Sequence, residues 1–236
     1  MSEISYKNYH RDKEYIDNEK LFRNIFLSRY DLIKPYASKG SKVLDIGCSN
    51  GVFLDIFKNH GWKTFGVEPS ESGKTAAKKG HKISKKYFEK TTFPNNYFDL
   101  IIMNHTLEHV GDADLVLKKI HSILKNGGIL FVDVPNAGGF GSRILKSKWP
   151  YRLPLEHRYQ FTYDSLSRKM KKAGFNIRFW KSRSGVFEYR NPLGELWQSL
   201  SGFKKRFLTD LVSLPYSFVV TLLNMGDSMS FVAQKK

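Results

Sequence analysis

Apolar positions fall into two alternating rhythms along the first half of the chain. Between residues 17 and about 36, Leu21, Ile25, Phe26, Leu32 and Ile33 recur near helical spacing, which predicts an amphipathic helix broken by Gly40 and Ser41. Short apolar runs follow at KVLDI (42–46), KTFGV (63–67), FDLIIM (98–103) and GGILFVDV (127–134). Between them lie helical stretches at 51–59, 70–79 and 112–125, the last with Leu115, Leu117, Ile120 and Leu124 expected on one face. Strand and helix in alternation predict an α/β fold built on a parallel sheet covered on both sides.

After Pro135 the rhythm is lost until Thr162. This connector, 137–161, is rich in Gly, Arg, Trp and Pro and longer than compact loops between strand and helix, so it reads as a lid or binding loop. Thr162 and Asp164 then open a helix that runs to about Lys172 and stops at Gly174, and residues 175–187 read as a strand. Residues 192–224 look helical, with high apolar content, and MSFVAQKK closes the chain as a strand. The expected organisation is an N-terminal helical segment at 1–40 and one domain at 41–236 carrying the connector and a helical insertion at 192–224.

Composition narrows the class. At 236 residues, 41% hydrophobic and 26% charged, the chain can bury a core without staples. Its one cysteine, Cys48, excludes an internal disulfide, CxxC redox chemistry and a thiolate zinc cluster. The first twenty residues lack the apolar core of a secretion signal, and the run 211–223 is too short and is interrupted by Pro215, so neither export nor a membrane span is expected. A cytoplasmic protein fits, with peripheral contact at the inner face of the membrane as a variant.

The net charge of +17 is unevenly spread: residues 137–236 carry 18 Lys and Arg against 6 Asp and Glu. Anionic partners are expected there, such as a phosphorylated or nucleotide-linked substrate or acidic lipid head groups, with nucleic acid the less favoured choice. The plain alternative is a lysine-rich solvated surface.

The chemistry concentrates at the first strand. VLDIGCSNG places Asp45 at a buried strand end, followed by Gly47, Cys48, Ser49, Asn50 and Gly51 before a helix. Glycines let backbone turn with positive φ and approach a ligand, and the helix start offers free amides. The GxxxG spacing is neither the dinucleotide fingerprint nor a phosphate loop. A carboxylate at Asp45 would repel a pyrophosphate but pair with an α-amino group. Glu68, 17 residues past Gly51 in FGVEPS, can accept both hydroxyls of an adenosine ribose. Together they describe an adenosine with an amino-acid tail.

In order and spacing, VLDIGCSNG, FGVEPS, FDLIIMNHTLEHV and LKNGGILFVDVPN resemble the motifs of class I S-adenosylmethionine-dependent methyltransferases over about residues 40–190. LEHV, followed by PN, a tryptophan, EH and FTYDSL, resembles the bacterial group of sugar and small-molecule O-methyltransferases. The resemblance implies a Rossmann-like seven-stranded sheet of order 3-2-1-4-5-7-6 with an antiparallel last strand. It also implies a donor site with Asp45, Gly47 and Gly51 at the methionine part, Glu68 at the ribose and Phe88 or Glu89 near the adenine. Cys48, Ser49, Pro69 and Asn104 complete that site. Many members carry Asp where Tyr87 stands here.

Asn104 and His105 should line the floor of the crevice beyond the fourth strand. For a hydroxyl acceptor a histidine suits the role of base, with His157 the first candidate and His105 the second. His109 and Glu108 read as braces of the loop. Trp149, Tyr151 and Arg152 could clamp an acceptor or form a satellite core. The tetrad typical of exocyclic-amine methylation is absent at Asn104–Leu107. Cys48 is misplaced for cytosine chemistry, and Asp133 with Asn136 is too thin a set for a metal, so no metal site is expected.

In 192–224, Leu193, Leu196, Trp197, Leu200, Phe203, Phe207, Leu211 and Leu214 form a stripe beside Lys204, Lys205 and Arg206. It could pack on its own core, join two chains as a homodimer, or meet lipid. Three functional readings follow: O-methylation of a sugar, glycan or other small-molecule hydroxyl; methylation of a quinone or isoprenoid-type acceptor at the membrane surface; or a donor-binding or nucleic-acid-binding protein without turnover.

Overall fold

The computed structural model describes residues 18–37, 41–202 and 206–236. The expected break at Gly40 and the stripe's Phe203, Lys204 and Lys205 lie outside the described residues, as does the side chain of Arg206.

The first helix, α1 (Glu19–Ile33), is followed by β1 (Lys42–Ile46), α2 (Val52–Asn59), β2 (Lys63–Val67), α3 (Ser72–Lys78) and β3 (Lys82–Ser84). Then come β4 (Phe98–Asn104), α4 (Ala113–Ile123), β5 (Leu124–Pro135), α5 (Phe140–Leu145) and α6 (Tyr163–Lys172). The chain closes with β6 (Phe175–Arg183), α7 (Pro192–Ser201), α8 (Arg206–Leu222) and β7 (Ser228–Lys235). The strands form one sheet of order β3-β2-β1-β4-β5-β7-β6, parallel except for β7, which runs antiparallel to both neighbours. Chain order reverses between β1 and β4, so a crevice opens beyond their carboxyl ends.

Each face of the sheet is sealed by its own core. On one side Phe26, Tyr30 and Ile33 of α1 pack with Phe53 and Phe57 of α2. On the other, Leu117 and Ile120 of α4 pack with Leu166 and Met170 of α6. Local chemistry fixes the helix starts. Asp112 accepts from the amides of Asp114 and Leu115, and Thr162 forms a reciprocal cap with Ser165.

Two expectations are corrected, the buried face of α4 and the end of β6, and two elements, β3 and α5, have no counterpart in the sequence pattern. On α4, Leu115 is 62% exposed and Leu124 already belongs to β5. The buried stripe is Ala113, Val116, Leu117, Ile120 and Ile123, the regular spacing counted from the Asp112 cap. β3 escapes the sequence pattern because its three residues, KIS, offer one apolar side chain within a lysine-rich run. β6 stops at Arg183, where Gly185 (φ +55°) turns the chain into a 3-10 turn, Gly185–Glu188. The connector also contains α5, and Trp149 is buried there with Nε1 donating to Asp227 Oδ1 over 2.9 Å, a packed position in line with the satellite-core alternative.

Candidate functional site

A cavity of about 440 Å³ opens beyond β1, β2 and β4. It is lined by Asp45, Gly47, Cys48, Ser49, Glu68, Pro69, Phe88, Glu89, Asn104 and His105, so the structure gathers ten of the twelve sequence-predicted site residues around one space. Gly51 and His157 are not among the lining residues.

The turn after β1 is set by backbone. Gly47 has φ +81°, and a Cβ there would run into the Thr106 hydroxyl. Gly51, with φ +83°, caps α2 from behind the cavity, and a Cβ would come within 2.8 Å of the His81 ring. Gly47 N donates to Val67 O (2.8 Å), tying the turn to β2. Glu68, at the end of β2, accepts from Ser49 N and Ser70 N, each at 2.9 Å, which fixes its carboxylate against the turn. Each carboxylate oxygen can take more than one donor, so these bonds leave acceptor capacity for a ribose.

Asp45 is buried, and its Oδ1 has no hydrogen-bond partner among the described residues. Burial, with Glu68 nearby, pushes its carboxyl up to about 8. Asn104 Oδ1 is likewise a buried acceptor with no partner there. Two such acceptors facing a cavity call for a ligand carrying N–H donors or a cation. Burial, then the Asp45 and Glu68 charges, push the Cys48 thiol well up, so it stays neutral and unreactive.

At the far end, Phe88 and Glu89 belong to a 3-10 turn, Phe88–Lys90, beside Tyr87. Lys119 of α4 holds it: Nζ donates to Phe88 O and Thr91 O, both at 2.6 Å, and lies 4.7 Å from the Phe88 ring centroid.

His105 occupies the floor at the end of β4 in a left-handed conformation (φ +49°), its amide bonded to Asp133 O at 2.7 Å. An outlier of this kind, in a side chain with a Cβ, marks a conformation the surroundings enforce. Its Nδ1 lies 3.4 Å from Oε1 of the buried Glu108. Burial pulls the imidazole's pKa down, but Glu108 and Asp133 outweigh it and leave it above the ordinary histidine value. Glu108 shifts the other way: burial raises it, and His105 with His109 brings it below the usual carboxylate value.

His157 stands outside the cavity lining. It is buried, its Nδ1 is 2.8 Å from Tyr151 O, and its ring packs edge-on against His109 at 4.7 Å. His109 Nδ1 is in turn 3.0 Å from Glu156 O. This pair braces the connector against the turn after β4, as sequence suggested for His109 alone. Glu108, His109 and His157 offer ligand atoms all within 4.8 Å of one another, a grouping that sequence spacing did not indicate. Asp133 and Asn136, set aside as metal ligands, are structural: Asp133 meets Arg29, Ser228 and Ser230, and Asn136 Nδ2 donates to Gly226 O.

Sequence reasoning missed Phe26, Phe53, Tyr87, Thr106, Val110 and Arg158, which also line the cavity. Phe26 and Phe53 were legible only as apolar positions of helices. Their rings stack at 4.8 Å where α1 crosses α2.

Comparison with known proteins agrees with this architecture. The family described as Methyltransferase domain matches residues 17–178. A ubiquinone biosynthesis O-methyltransferase of Nitrobacter winogradskyi is 29% identical over 182 residues, covering 72% of this chain and 67% of that protein. Another, from Chelativorans sp., is 30% identical over 177 residues, 70% of this chain and 67% of the relative. The crystal structure of an S-adenosylmethionine-dependent methyltransferase from Thermotoga maritima superposes with a TM-score of 0.63 at 23% identity, covering 98% of this chain and all of that one, a likeness of fold.

Proposed function

Since the chain belongs to the methyltransferase-domain family and is an S-adenosylmethionine-dependent enzyme, we propose that it methylates a hydroxyl on a quinone-type or related phenolic ring. The observation that carries this choice is the similarity, over about two thirds of their length, to enzymes named for O-methylation in ubiquinone biosynthesis. That favours the quinone reading over the sugar or glycan acceptor that the LEHV resemblance suggested. The aromatic and aliphatic lining of Phe26, Phe53, Val67 and Val110 also suits a flat apolar ring better than a glycan.

In this reading Asp45 pairs with the donor's amino group, Glu68 takes the ribose hydroxyls, and Phe88 with Glu89 flanks the adenine. Gly47, Cys48, Ser49 and Pro69 shape the cradle, and Asn104 accepts from the donor's amino-acid end. Gly51 acts indirectly, by starting α2. The donor supplies an electrophilic methyl on a sulfonium. The chain holds the acceptor oxygen in line with that methyl and keeps water out.

His105 serves as base. The oxygen–methyl bond forms as the carbon–sulfur bond breaks, and the hydroxyl proton passes to the imidazole and then to solvent. Glu108 orients the ring and stabilises the imidazolium. His157 holds the connector rather than touching the acceptor. Residues 41–236 act as the catalytic domain, with 137–161 covering the acceptor side and 192–224 as an insertion.

The test is a transfer assay with methyl-labelled donor and two acceptors, a polyprenylated catechol and a nucleotide sugar. Label in the catechol's methoxy group is the expected result. Label in the sugar alone would restore the glycan reading, and donor binding with neither product would favour a non-catalytic protein.

A further inference from the structure

The insertion between β6 and β7 is built inside out. Along α8 the positions Leu208, Leu211, Val212, Phe218, Val219 and Leu222 recur at helical spacing, and all are exposed, Val212 to 79%. The opposite face carries Ser217 and Thr221, both buried, and Thr221 Oγ1 accepts from Ser184 N at 3.2 Å. α7 repeats the inversion: Leu193, Trp197 and Leu200 face outward, Trp197 at 70% exposure, while Glu195 and Ser199 are buried. Glu195 Oε1 accepts from Asn24 Nδ2 at 2.6 Å. A helix on a water-facing surface normally turns its polar side out. Two adjacent helices with the reverse order leave an apolar face that water alone does not explain.

Charge decides what covers it. Residues 192–224 contain two acids, and the described positions of both, Glu195 and Asp210, are away from the exposed stripe. α5 packs beside α8 through the Phe140 and Tyr216 rings (6.1 Å), and Phe140 N donates to Met225 O (2.8 Å). It continues the face with exposed Ile144 and Leu145 among exposed Arg143, Lys146 and Lys148. A second copy on this face would bring together two halves that each carry 18 basic against 6 acidic residues. An anionic bilayer offers the matching pair, acyl chains for the stripe and phosphates for the cations. Among the described residues no helix is long and apolar enough to cross a membrane, so the contact lies in the interface plane.

We propose that the outer faces of α7 and α8, with the basic end of α5, form a docking surface for the interfacial region of an anionic lipid bilayer. This stands on surface chemistry and holds whatever acceptor the cavity takes.

The test is vesicle co-flotation of the full chain with phosphatidylcholine alone and with a phosphatidylglycerol-rich mixture. At least about tenfold stronger partitioning onto the anionic vesicles is expected, declining with added salt. Trp197→Glu and Val212→Glu, both at exposed positions, should each lower it at least about tenfold while S-adenosylhomocysteine affinity stays at the wild-type value. Absence of vesicle binding by the wild type, or unchanged binding by both variants, would overturn the proposal. So would a vesicle-free wild-type dimer that the same variants dissociate, since the face would then belong to a second copy.

Discussion

Arg29 and Asp133 form an ion pair sealed inside the protein, Nε donating to Oδ2 over 2.6 Å, with both side chains almost wholly inaccessible. The guanidinium also donates to Glu188 O at 2.9 Å and to the Glu188 carboxylate, so α1 is tied at one point to β5 and to the turn after β6. Asp133 sits under His105, and Phe26, one turn from Arg29, lines the cavity. The pair therefore links the helix that covers the site to the strand that supports its floor.

Breaking that pair by Arg29→Met should cost about 3–5 kcal/mol, because a buried carboxylate loses its main compensating charge. Burial pushes Asp133 up, but Arg29 outweighs it and holds the carboxyl below its usual value. Its stabilising contribution is therefore present above the unfolded value of about 3.9 and is lost as pH falls through the lower folded value. Thermal melts between neutral and acid pH check this. The variant should melt lower at neutral pH and lose part of the wild type's acid-induced decline.

Donor binding should release a proton near pH 7. Asp45, raised to about 8 by burial and Glu68, is largely protonated before binding, and an ammonium brought beside it favours the carboxylate. Calorimetric titrations with S-adenosylhomocysteine in buffers of different ionisation enthalpy measure this release, and Asp45→Asn should reduce it.

The pH–rate profile should rise along an acid-side limb whose midpoint lies above the ordinary histidine value of about 6.5, because His105 acts deprotonated and its pKa is raised. Glu108→Gln removes the anion that stabilises the imidazolium, so the limb should move to lower pH and kcat fall by about tenfold. A limb that stays in place would remove His105 from the role of base.

Gly47→Ala should weaken donor binding at least about tenfold, since the new Cβ meets Thr106 at a φ that non-glycine residues rarely adopt. Adding Thr106→Ala should recover part of that loss by clearing the collision while leaving the backbone strain.

His157→Ala should lower stability by about 1–3 kcal/mol, through a lost buried ring and the loss of its hydrogen bond with Tyr151 O. S-adenosylhomocysteine affinity should be unchanged. A full loss of turnover with an unaltered melting curve would return His157 to the acceptor site.

The strands and the cavity-lining turn after β1 were legible because their signals are local: apolar runs for β1, β2, β4 and β5, and an acid followed by glycines at 45–51. Glu68 was legible from its spacing. β3 was not, since three residues with one apolar side chain gain their strand character by pairing with β2. Phe26 gave only a helical period and Arg29 no signal at all, and what they cover depends on how α1 crosses α2, which no local pattern encodes. The place of His157 was not legible for a related reason: EH at the end of an irregular connector marks an imidazole, and the fold turns it inward against His109.

The claim beneath the rest is that the turn between β1 and α2 recognises the amino-acid end of the donor. Titrating S-adenosylhomocysteine against 5′-methylthioadenosine, which shares the nucleoside but lacks that end, tests it most directly. A preference of at least about tenfold for S-adenosylhomocysteine, sharply reduced in Asp45→Asn, is the predicted result. Equal affinity for the two ligands in the wild type would contradict it.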